Sequence, residues 1–218
     1  MIALVRYDLS MLVRGQSYIA PFVLYASAIV TLTTNDQGPL PRVYTASAMT
    51  IFICMLWLTV ALINTEEPAQ RAMTSVAARG EHRVLAANVL AALVICLALT
   101  ALGLIYPIPA GDHTWSSTDL VIGIVAQLTC GVTGIAGGLV CSRIVVRRTG
   151  YAVFLALGLI GVFTLIRVLP PVAPTMVILG SDRPATEMVT PLLLNGVIAV
   201  VLLAGSTIAA YQVARRQE

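Results

Sequence analysis

Apolar residues in this chain gather into six runs, near 18–34, 43–65, 84–106, 118–141, 150–168 and 191–211. Each is close to the roughly 20 residues that a helix needs to cross a hydrocarbon core. The stretch 84–106, VLAANVLAALVICLALTALGLIY, has no polar face to turn toward water, which excludes the helices of an ordinary soluble core. The pattern predicts an all-α, polytopic membrane protein: six transmembrane helices in a single domain covering residues 1–218.

The segments between the runs carry their own periodicity. In MIALVRYDLSMLVRG, residues 1–15, Ile2, Leu4 or Val5, Leu9, Leu12 and Val13 recur at helical spacing with Arg6, Asp8 and Arg14 among them. Charges at three depths are costly in hydrocarbon, so this reads as an interfacial helix stopped near Gly15 rather than as an extension of the first span. Residues 64–83, NTEEPAQRAMTSVAARGEHR, form the richest polar segment. A helix over 66–79 is expected there, capped by Thr65 or Asn64, with Glu66, Glu67 and Pro68 in its first turn and Gly80 beyond its end. Ala69, Met73, Val76 and Ala77 share one face of it. Such a helix suits docking of another protein, the alternative being a solvated linker. Residues 169–190 hold Pro170, Pro171, Pro174 and Pro184, followed by Pro191, around the apolar Met176 to Leu179. They predict a short broken element that dips back toward the membrane.

Charge orients the spans. Every basic residue is arginine. Arg6, Arg14, Arg71, Arg79, Arg83, Arg143, Arg147, Arg148, Arg215 and Arg216 fall in alternate connections, while the opposite ones hold Arg42 and Arg183, with Arg167 near an outer helix end, and Asp36, Asp112, Asp119, Asp182 and Glu187. Retention of positive charge inside predicts that both termini are cytoplasmic. The first run lies too far from Met1 and lacks the small-residue site of a removable signal peptide. A hydrophobic share of 58%, a charged share of 11% and a mean hydropathy of +0.92 agree with lipid as the main solvent. The net charge of +3 follows from the topology rule, and no basic and aromatic run is long enough to track nucleic acid. Abundant alanine, valine and arginine without lysine is a composition associated with GC-rich bacterial genomes, and a bacterial plasma membrane is the expected location.

Candidate chemistry is sparse. Cys54, Cys96, Cys130 and Cys141 lie in or at the ends of spans without CxxC spacing, so they read as buried thiols and no metal site is expected. Span centres carry no acid of the kind that ion-coupled carriers bury. His82 and His113 lie outside the spans, and neither an HExxH site nor a Ser/His pair exists. Without a GxxxxGK[ST] loop or any lysine, the chain has no phosphate grip of its own. Neither catalytic nor cofactor-binding residues are expected. Gly131, Gly134, Gly137 and Gly138 predict close helix packing in the fourth span, and Asn64, Asn88, Gln127 and Asn195 predict interhelical hydrogen bonds.

Taken in order, these elements resemble the membrane subunit of type-2 ABC exporters: an elbow helix, six spans with inside termini, a coupling helix between spans two and three, and a re-entrant element before span six. The local likeness is strongest from Glu66 and Glu67 through SVAARGEHRVLAANVLAAL, 75–93, although EEPAQRAM stands where the family has a run of acid, glycine and threonine. The resemblance implies a permease subunit, non-catalytic itself, that pairs with a second permease, identical or homologous. It binds two cytoplasmic ATPase subunits, which carry ATP and magnesium. It also implies ATPase docking through Glu66, Glu67, Arg71, Arg79, Glu81 and Arg83, and export of an amphipathic drug, peptide or lipid-like molecule. A stand-alone secondary transporter or channel, or a non-transporting membrane scaffold, is the alternative.

Overall fold

The computed structural model describes residues 1–34, 40–66, 68–78, 80–110, 116–143, 149–165, 171–181 and 185–215. Among them there is no strand; the described residues are helical between short turns. In order these are α1 (Ile2–Arg14), α2 (Ile19–Thr34), α3 (Leu40–Asn64), α4 (Pro68–Ala77), α5 (Glu81–Ile105), α6 (Pro107–Ala110), α7 (Ser117–Cys141), α8 (Thr149–Leu165), α9 (Val172–Leu179) and α10 (Ala185–Arg215).

Among the described residues four helices, α3, α5, α7 and α10, are long and apolar enough to cross a membrane. At about 1.5 Å per residue the 25 residues of α7 reach ~37 Å, beyond a hydrocarbon core of about 30 Å. Helix α2 has 16 residues and α8 has 17, apolar but shorter. The α1–α2 pair makes a fifth candidate span, bent by 81°. Among the described residues each of the six runs seen in the sequence thus contains a helix, those of α2 and α8 being below full crossing length.

Helix α7 is the centre of the bundle, with 72% of its most apolar stretch buried, against 17% for α10 at the edge. Glycine explains how the neighbours come so close. A β-carbon on Gly134 would lie 2.5 Å from the Phe52 carbonyl oxygen, and one on Gly138 would lie 2.8 Å from that of Leu56. Both glycines therefore seat α7 directly on the backbone of α3. Gly131 faces the Cys96 thiol of α5, and Gly137 faces Leu159 of α8. In lipid, where apolar burial drives little association, such backbone proximity supplies the packing. Phe52 and Phe163 join α3 to α8 through tilted rings 5.9 Å apart. All four cysteines are buried free thiols, small apolar fillers as their positions in the runs imply.

The start of α7 is fixed by a capping box. Ser116 Oγ accepts from the Thr118 amide at 3.4 Å, and the Ser116 amide donates to Asp119 Oδ2 at 3.1 Å. At α10 the structure departs from the proline reading. The helix begins at Ala185 and passes through Pro191, whose ring falls in its second turn. There the carbonyl that loses its donor is close to the helix end. The expected element before span six includes the short α9, with Val172, Ala173, Thr175 and Leu179 buried against the bundle. Asn195 of α10 is buried and donates to Thr175 Oγ1 at 3.3 Å, tying α10 to α9.

Candidate functional site at the arginine-bearing pole

The end of α3, the start of α5, the end of α7 and all of α1 meet at one pole. Asn64 Oδ1 accepts from the Arg143 amide at 3.1 Å, which joins the ends of α3 and α7. The Thr65 hydroxyl donates back to the Ala61 carbonyl at 2.6 Å. The two residues proposed as caps for the next helix thus have bonds inside the bundle.

Helix α4 lies between α3 and α5 outside the long spans, and at Pro68–Ala77 it is shorter than the 66–79 expected. Pro68 stands at its first position, where a missing amide proton costs nothing. Met73 and Val76, one turn apart, are 66% and 80% exposed, and Ala77 beside them is exposed too. Of the apolar face read from the sequence, Met73, Val76 and Ala77 are therefore presented outward, not folded onto the bundle. After it the chain turns at Gly80, whose φ of 146° only glycine adopts readily. A β-carbon there would also lie 2.6 Å from the His82 ring. Arg83 Nη1 donates to the Ala78 carbonyl at 3.4 Å, bracing the turn from the first helical turn of α5.

Helix α1 packs on α5 with Asp8 and Leu12 buried and Val5 and Leu9 partly so. The Asp8 carboxyl is only 5% exposed, and its Oδ2 has no hydrogen-bond partner among the described residues. Burial, and then the charge of the buried Glu66, push its pKa up from 3.8 to about 7. Sequence reasoning placed Asp8 among the polar residues of α1 and missed this. A helical wheel carried the signal, because Asp8 is three residues from Val5 and four from Leu12.

The six residues singled out for docking divide accordingly. Glu66 turns inward toward Asp8. Glu81 is half-buried in the first turn of α5, and Arg83 is exposed, lining with Met1, Leu4, Ala77 and Ala78 a cleft of about 390 Å³ between α1 and the α4–α5 turn. Glu67 and Arg79 lie outside the described residues, as does the side chain of Arg71. No group of three His, Cys, Asp or Glu able to hold a metal ion occurs among the described residues. What the pole offers is the uncovered Met73, Val76 and Ala77 of α4 and, nearby, the buried carboxyls of Asp8 and Glu66. No protein-family model matches this chain, and no curated protein or solved structure matches it.

Proposed function

We propose that this chain is the membrane-spanning subunit of an ATP-driven exporter of the type-2 ABC kind, which acts as a dimer with two separate cytoplasmic ATPase subunits. The single observation that carries the reading is α4, a short helix between two long apolar ones with Met73 and Val76 uncovered. An amphipathic helix laid into a hydrophobic groove is a standard mode of recognition, and its anchors recur at three- and four-residue spacing. Met73, Val76 and Ala77 have that spacing.

In this reading α2 and α8 complete six spans, with α1 as the elbow and α9 as the outer re-entrant element. The arginine-bearing pole is cytoplasmic by the positive-inside rule, in a bacterial plasma membrane. Arg83 and Glu81 flank the docking helix as polar contacts, while Glu66 acts from behind it through Asp8. The substrate is amphipathic, because the spans offer apolar walls and no charged binding group. ATP and magnesium belong to the partner.

The test is association. Met73→Asp together with Val76→Asp is expected to abolish copurification of an ATPase without changing the melting temperature of the subunit, since both side chains are exposed. Unchanged association with either residue charged would remove the support. Transport by the purified chain in vesicles, without ATP or a partner, would instead make it a stand-alone carrier.

A further inference from the structure

The long helices also carry polar groups, and these are aligned. Down α7, Asp119, Gly123, Gln127 and Gly131 stand four residues apart on one face. Against that face lie Tyr44 and Ser47 of α3, Thr100 and Gly103 of α5, and Tyr25 of α2. The Tyr44 ring covers Gly123, 2.8 Å from where a β-carbon would stand, and its phenol is within electrostatic reach of Asp119 at the mouth of the helix. Gln127 is fully buried and its Nε2 donates to Ser47 Oγ at 3.0 Å. Gly103 is the point of convergence, because a β-carbon there would meet the Tyr25 hydroxyl and both amide atoms of Gln127. Thr100 stands between Cys96 and Gly103 on the face of α5 that meets α7, with the Cys96 thiol beside its hydroxyl.

The hydrogen bonds of this seam do not close. Tyr25 donates to the Leu99 carbonyl at 3.0 Å and Ser47 to that of Tyr44 at 3.0 Å. Yet the Tyr44 hydroxyl and Gln127 Oε1, both on fully buried residues, have no partner among the described residues. The phenol can both donate and accept, and the amide oxygen accepts. Buried polar groups in folded proteins are almost always satisfied, and where protein cannot do it an internal water with two to four polar neighbours does. The seam supplies those neighbours, and it begins at Asp119, half-buried at the end of the bundle. From Asp119 to Gln127 is eight residues, about 12 Å along the helix, so the polar column stops short of the middle of a ~30 Å core.

We infer that α2, α3, α5 and α7 hold internal water between Asp119 and Gln127, bounded below by the packing of Gly131, Gly134 and Gly138 on α5 and α3. Water bound there bridges Tyr44 to Gln127.

The experiment uses the full-length protein in lipid nanodiscs under short X-ray pulses, which turn bound water into hydroxyl radicals that oxidise adjacent tyrosines. Tyr44 and Tyr25 are expected to be oxidised despite their burial, with the exposed Tyr7 as the reference for bulk water. A second reading is stability. If water satisfies the phenol, Tyr44→Phe lowers the melting temperature by roughly 2–4 °C, whereas in a dry seam it removes an unsatisfied hydroxyl and raises it. Absence of label at both Tyr44 and Tyr25, or a rise in melting temperature for Tyr44→Phe, overturns the inference.

Discussion

At the scale of single residues, Asp8 makes the sharpest statement about conditions. Its carboxyl ionises near pH 7 in the folded protein and near 3.8 when exposed. Below the lower value both states hold the proton and its contribution to stability is complete. Between the two values the folded state keeps a proton that the unfolded state has released, so stability falls as pH rises, and the loss is complete above the folded value. The melting temperature is therefore expected to decline between about pH 4 and pH 7, and Asp8→Asn, neutral throughout, is expected to flatten that slope. A variant with the same slope as the parent would refute the assignment. Gly134 makes a mechanical statement. An alanine there drives its methyl group against the Phe52 carbonyl, and overpacking of this kind costs about 1–3 kcal/mol. At Gly205 of α10 nothing lies within 4 Å of a β-carbon, so Gly205→Ala is expected to cost nothing in the same thermal melt.

Among the elements, the corner between α1 and α2 depends on one backbone angle. The sequence pointed to Gly15 as the stop, and α1 does end there, but Gly15 keeps a right-handed conformation with φ at −74°. The left-handed turn falls on Gln16, with φ at 53°. Holding a side chain in that region costs roughly 1–2 kcal/mol. A β-branched residue is worse placed still, so Gln16→Val is expected to lower thermal stability while Gln16→Gly is tolerated. Neither effect could be anticipated from composition, because glutamine has no special claim on positive φ. The same holds for Pro191. Proline is a helix breaker by rule, and only the position of the ring in the second turn of α10 lets the helix run through it. The long runs were legible because lipid imposes one length and one solvent on every crossing segment, which is why the ends of α5 and α7 fall within three residues of the runs at 84–106 and 118–141.

For the whole molecule, what the sequence could not convey was which helix stands in the middle. The glycines of 131–138 announced close packing but not its direction, and three different neighbours turn out to share them. The docking residues show the same limit. Glu66 and Arg83 are both charged and both near α4, yet one is buried against a second carboxyl and the other is open to solvent. Charge patterning along the chain does not separate them, since inward and outward faces are settled by α1, a segment nearly sixty residues away.

The most buried of the four long helices, α7, is also the least apolar. Its glycines, threonines and Gln127 are useful only where another helix lies against them, and facing acyl chains they expose backbone and amide groups that lipid cannot solvate. As it leaves the translocation machinery, α7 is thus the segment least able to wait alone in the bilayer. The hairpins of α2–α3 and α5 must already be in place to receive it. The greasier α10 can arrive afterwards and settle on the outside, so the order of the chain from N to C terminus matches the order in which its helices can afford to meet lipid.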